Sequence, residues 1–134
     1  NWQGGMNFIG ENEAGGCVQM GTIDEKPGVG PMQLLLVGLA GCTGMDIVSI
    51  LQKKKVNLTN FKIEVEAKRA DTYPMIWTAI HIKYLLWGDH IKPSDVEQAI
   101  RLSEEKYCSV SIMLGKSAEI KSTYTINLPV NLIN

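Results

Sequence analysis

The stretch from Pro31 to Lys55, PMQLLLVGLAGCTGMDIVSILQKKK, decides the architecture. Proline at a first helical position loses nothing, because its missing N–H would have had no partner there. The run therefore predicts one helix from Pro31 to Lys55, roughly 36 Å long. It is apolar almost all round, so burial on most sides is expected. Its longest apolar stretch, Leu34 to Leu51, brushes the length that spans a bilayer. Asp46 sits inside it, however, with Thr43, Ser49 and three glycines, and a charge near the bilayer centre is costly. The reading is a buried core helix, with no membrane partner. Glycine in a helix interior costs about 1 kcal/mol relative to alanine. Gly38, Gly41 and Gly44 therefore predict close approach of another backbone, most simply a second helix. Lys53, Lys54 and Lys55 complement the helix dipole as a basic last turn.

Upstream, Met6–Ile9 and Val18–Ile23 flank a glycine-rich turn at Glu11–Gly16 and predict a small hairpin. Residues 24–30 carry turn chemistry and read as a loop. Downstream, Phe61, Ile63, Val65 and Ala67 alternate with charged neighbours, as in a strand with one wet face. A turn at Asp71–Pro74 leads to a second alternating strand at 76–84, ending near Asp89. Ser94 and Glu97 have capping-box spacing at the start of the next helix. There Val96, Ala99, Ile100, Ser103 and Tyr107 form the inner stripe, while Arg101, Glu104 and Glu105 face away. A short helix at Ser109–Leu114 stops at Gly115, and residues 118–126 form the last strand. The order β-β-α-β-β-α-β predicts an α+β domain spanning residues 1–134, with the long helix central and buried.

Composition narrows the function. The chain has 134 residues, 45% of them hydrophobic and 20% charged, with a formal net charge of −1, which is an ordinary globular profile. No basic face is evident, so nucleic acid is not an expected partner. Three cysteines do not make a disulfide scaffold. They are separated by 24 and 65 intervening residues, which matches no CxxC-type metal pattern, so neither a metal nor a cofactor is expected. No charged segment followed by an apolar leader is visible, and a cytoplasmic protein is expected.

Cys42 shares a helix face with Gly38 and Asp46, at i, i+4 and i+8. A carboxylate one turn from a thiol disfavours the thiolate, so a reactive Cys42 needs a cation. Arg69, on the neighbouring strand, is the first choice, ahead of Lys83 and Arg101. Two readings stay open from the residues alone: an inert packing cysteine and an activated thiol. Cys108 follows the second helix beside small polar residues, where more exposure is expected than in a core. Packing is again the competing reading. Cys17 lies in an edge-strand setting and reads as structural. A His81–Cys42 hydrolase dyad lacks any accompanying nucleophile signature. Gly28-Val29-Gly30 lacks the frame of a phosphate loop.

Two segments together carry a resemblance. Gly30-Pro31-Met32-Gln33-Leu34-Leu35-Leu36 leading to Ala40-Gly41-Cys42, followed about 65 residues later by Ser103-Glu104-Glu105-Lys106-Tyr107-Cys108-Ser109-Val110-Ser111, is similar to the OsmC/Ohr family. The run from Cys42 to Lys53 resembles an OsmC-like subgroup of it. The resemblance implies an intertwined homodimer with the long helices packed centrally and the sites at the subunit interface. It implies a thiol-dependent peroxidase active on organic hydroperoxides or H2O2, in oxidative-stress defence. Cys42 takes the place of the peroxidatic cysteine and Cys108 that of the resolving one, with a disulfide between them. A dithiol, often lipoyl-type, returns the electrons. Residues 1–30 contain no arginine, and Met32 follows Pro31 where well-characterised members carry a glutamate, so Arg69 is the expected replacement cation. The alternative is a non-catalytic or weakly redox-active dimer that binds a small apolar ligand at its interface.

Overall fold

The computed structural model describes residues 1–129; positions 130–134 of the expected domain lie outside the described residues. The chain divides into two compact units, Asn1–Val37 and Gly38 onward.

The first unit holds more strand than expected. β1 (Phe8–Glu11) and β2 (Cys17–Met20) pair antiparallel, with Phe8 opposite Met20 and Glu11 opposite Cys17. The segment read as a loop contains β4 (Lys26–Pro27), which pairs with β3 (Thr22–Ile23). Gly28 makes this second hairpin possible: its N–H donates to the Gly21 carbonyl at 2.7 Å, and a Cβ there would run into the Gln19 and Gly21 carbonyls. The helix α1 (Pro31–Lys53) starts at the predicted proline. At its entry the Gln33 side chain accepts the Gly30 N–H at 2.9 Å.

The helix ends two residues earlier than expected. Lys55 adopts a left-handed conformation (φ 60°), and the Val56 N–H reaches back to the Leu51 carbonyl at 2.9 Å. This is a Schellman-type stop, usually built on glycine. A lysine in that place left no visible signal.

In the second unit, β5 (Asn57–Arg69) and β6 (Trp77–Asp89) form a long antiparallel hairpin, with Ile63 opposite Tyr84 and Arg69 opposite Trp77. The chain then crosses over through α2 (Pro93–Leu102), a π-turn (Ser103–Tyr107) and α3 (Ser109–Leu114). It returns as β7 (Glu119–Ile126), parallel to β6. The sheet order is β5-β6-β7. A parallel neighbour needs such a crossover, since no tight turn can make one. The structure is thus an α+β fold with an extra hairpin near the start of the chain.

Alternation splits the sheet into an apolar face and a charged one. Ile80, Ile82, Tyr84 and Leu86 are buried on the first, while His81 and Lys83 lie on the second. Leu39, Thr43, Gly44, Ile47 and Leu51 form the buried face of α1. Gly44 does need its missing side chain, but the neighbour is a strand residue: a Cβ there would lie 2.8 Å from Ile63 Cδ1. Gly38 and Gly41 have nothing within 4 Å of such a Cβ, and Met45 is 77% exposed. Burial on most sides is therefore not what one chain achieves. By length and composition alone, α1 is long and apolar enough to cross a membrane. It packs its buried face against the sheet, and its Asp46 is hydrogen-bonded as described below.

α2 begins at Pro93, so Ser94 lies inside it and no side chain caps the Lys92 boundary. Glu97 instead accepts a bond from the Tyr124 hydroxyl at 2.6 Å.

Candidate active site

The fold brings Cys42, Asp46 and Cys108 together. Their two sulfurs and a carboxylate oxygen all lie within 4.8 Å of one another. Cys42 and Asp46 come from successive turns of α1, as the spacing requires. Cys108 arrives from the crossover, immediately after the π-turn.

That turn closes with one residue more than an α-helical turn: the Cys108 N–H donates to the Ser103 carbonyl at 2.7 Å. The extra residue shifts the phase of every side chain after it. Glu104, expected to face away, turns inward and accepts bonds from Tyr84 Oη at 2.7 Å and Ser122 Oγ at 3.2 Å. Tyr107, expected on the inner stripe, is 52% exposed. Ser103 stays buried, and its hydroxyl donates to Asp46 Oδ2 at 2.9 Å.

Cys108 is 0% exposed, against the expectation of an accessible thiol at a helix end. It caps α3, with its sulfur accepting the Ser111 N–H at 3.3 Å. Burial pushes the Cys108 thiol up, and its hydrogen bond with Cys42 adds to the shift; the Ser111 amide pulls the other way. Cys42 is partly exposed. All three cysteines are free, and Cys17 is exposed on β2.

Beside the thiols lies a polar row of buried Tyr84 and half-buried Glu104. Tyr84 is raised chiefly by burial; a bond with Thr43 opposes this, and Glu104 reinforces it. Glu104 is itself held above the ordinary carboxyl range by burial, despite the donors from Tyr84 and Ser122. No local pattern marks Glu104 or Tyr84 as part of the site; only a correct phase for residues 103–107 points Glu104 inward. In front, an open cleft of about 510 Å³, lined by Asp46, Ile50, Lys53, Leu102 and Tyr107 among others, reaches the site at Asp46.

Arg69 is not brought to the cysteines. Its Nε donates to the Met75 carbonyl at 2.8 Å, and its guanidinium lies 5.8 Å from the Trp77 ring centroid. Trp77 is seven positions along β6 from Tyr84, about 23 Å of strand. Lys83 pairs with Glu66 on the charged face. His81 bonds to Thr123 on that same face, away from Tyr84, so among the described residues His81 forms no dyad with Cys42.

A sheet covered on one face by helices, with a thiol from the long helix against a second thiol from the crossover, defines a two-cysteine α+β protein. The chain belongs to the OsmC-like protein family, which matches residues 23–123. It is 32% identical over 125 residues to Protein YhfA of Escherichia coli K12, covering 93% of each chain. The crystal structure of a hypothetical protein from Aquifex aeolicus VF5 superposes with a TM-score of 0.85 at 33% identity, covering 95% of this chain and 92% of that one. An organic hydroperoxide resistance protein OsmC from Legionella pneumophila shares the fold, with a TM-score of 0.62 at 19% identity, covering 92% of each.

Proposed function

We propose that the protein is a thiol-dependent peroxidase acting on organic hydroperoxides or H2O2. The observation that carries this reading is the adjacency of the Cys42 and Cys108 sulfurs. Family membership supports it, as does the shared fold with a protein described as an organic hydroperoxide resistance protein. Cys42, the more exposed thiol, attacks the terminal peroxide oxygen; the O–O bond breaks, alcohol or water leaves, and Cys42 becomes a sulfenic acid. Cys108 then attacks that sulfur and expels water, giving the disulfide. A dithiol of the lipoyl type restores both thiols. Arg69 enters this reading as an anchor of the β5–β6 turn, not as the activator of Cys42 in its own subunit.

Stoichiometric hydroperoxide should convert the protein to a form with one Cys42–Cys108 disulfide and a free Cys17, read by peptide mapping. Cys108→Ser should accumulate the sulfenic acid or over-oxidise. Both thiols left unmodified by an excess of peroxide would overturn the reading.

The working form is a homodimer. The open glycines at 38 and 41 and exposed Met45 leave an apolar face of α1 for a second copy. Sedimentation at micromolar concentration should give about twice 14.8 kDa; a stable monomer would remove the dimer. The cleft beside Asp46, with Ile50, Leu102 and Tyr107 in its wall, favours one second reading, a weakly redox-active dimer that holds a small apolar ligand. Peroxide-inert thiols together with saturable ligand binding would select it.

A further inference from the structure

We propose that, in the reduced protein, Cys42 Sγ, Cys108 Sγ and an Asp46 carboxylate oxygen form a three-ligand site for a zinc-like divalent ion, with the fourth position open on the Cys42 side. The site goes beyond the peroxidase reading and competes with it for the same two sulfurs.

Three observations converge. The three donor atoms already lie within 4.8 Å of one another. Around tetrahedral zinc, with Zn–S bonds of about 2.3 Å, two sulfurs stand about 3.8 Å apart, so closure of at most about 1 Å completes the set. The donor chemistry suits a borderline-soft ion: two thiolates and one carboxylate, two of them one helical turn apart on α1. The outer groups are in place as well. Ser103 Oγ donates to Asp46 Oδ2 at 2.9 Å, and the Ser111 N–H donates to Cys108 Sγ at 3.3 Å. Such partners fix ligand orientation and support bound thiolates. Cys108 is sealed in the interior while Cys42 and Asp46 are partly exposed, so the open position faces outward.

Binding displaces the two thiol protons and leaves the site with one net negative charge. A disulfide leaves neither thiolate, so the oxidised chain cannot hold the ion; conversely, the ion shields both sulfurs from peroxide. No linear motif announces the arrangement, because its ligands come from α1 and from the far side of the crossover.

The test uses the reduced full-length protein, with Co2+ as spectroscopic probe and Zn2+ as competitor. One Co2+ per chain is expected, with intense visible bands of tetrahedral cobalt and a near-ultraviolet sulfur-to-metal charge-transfer band, both abolished by Zn2+. Zn2+ should cut the thiols open to alkylation in the folded protein from two, Cys17 and Cys42, to one, Cys17. Cys42→Ser should abolish the charge-transfer pattern. Asp46→Asn, checked for folding by circular dichroism, should weaken binding about tenfold or more. A charge-transfer band that survives Cys42→Ser, or Zn2+ that leaves Cys42 open to alkylation, would overturn the site. A cobalt band in a protein inert to peroxide would sink the peroxidase reading alone, and peroxide turnover with no cobalt band would sink the metal site alone.

Discussion

Tyr84→Ala is expected to lower the unfolding free energy by about 3–5 kcal/mol, the range for truncating a buried aromatic side chain. Tyr84 is 0% exposed and its ring lies 6.3 Å from that of Phe61 across the hairpin. Its hydroxyl also supplies Glu104 with a donor at 2.7 Å. The substitution opens a cavity at the centre of the sheet and leaves the half-buried Glu104 carboxyl short of a partner. Small domains are stable by about 5–15 kcal/mol, so much of the margin goes. Tyr84→Phe keeps the ring and should cost about 1–3 kcal/mol, the penalty of an unsatisfied buried group. Urea unfolding of the reduced protein separates the two. A loss below about 1 kcal/mol in the alanine variant would show that the ring does not hold the sheet to the crossover.

Glu104→Ala should cost about 2–5 kcal/mol, because the buried Tyr84 and half-buried Ser122 hydroxyls both lose their acceptor. Glu104→Gln preserves the shape and removes the charge, and its effect should depend on pH. Burial raises the Glu104 carboxyl above its ordinary value near 4.5. The folded chain then binds a proton that the unfolded chain releases. This contribution is fully present below about pH 4.5 and is lost as pH rises through the folded-state value. Glu104→Gln should therefore match the parent in acid and exceed it at neutral pH and above. Parallel stability curves for the two proteins between pH 4 and 8 would show that desolvation does not raise the Glu104 carboxyl.

Much of the fold was legible because it is written in periodicity. Alternation placed the faces of β5 and β6, and Pro31 placed the start of α1. Cys42 and Asp46 could be set on one face by counting. What stayed hidden is what local pattern does not encode. A lysine did glycine's work at the end of α1. Two-residue strands at 22–23 and 26–27 are too short to alternate. The π-turn added a residue that no composition rule reveals, so Glu104 and Tyr107 were placed on each other's sides. The meeting of Cys42 with Cys108 is non-local, and only the family resemblance pointed to it. Arg69 is a cation on the strand that follows α1, but proximity in sequence order says nothing about its position along a strand of thirteen residues.

The parallel pairing of β7 with β6 also governs what happens while the chain is being made. A hairpin such as β5–β6 can close as soon as it leaves the ribosome, but β7 cannot dock until the whole crossover behind it has been synthesised. Until then β6, the most apolar strand, presents one edge with its backbone groups unpaired, a template for another nascent chain. The hazard lies in stalled or prematurely terminated products rather than in the finished protein. A chaperone that attends this polypeptide has most to do in the interval between the synthesis of Asp89 and that of Glu119.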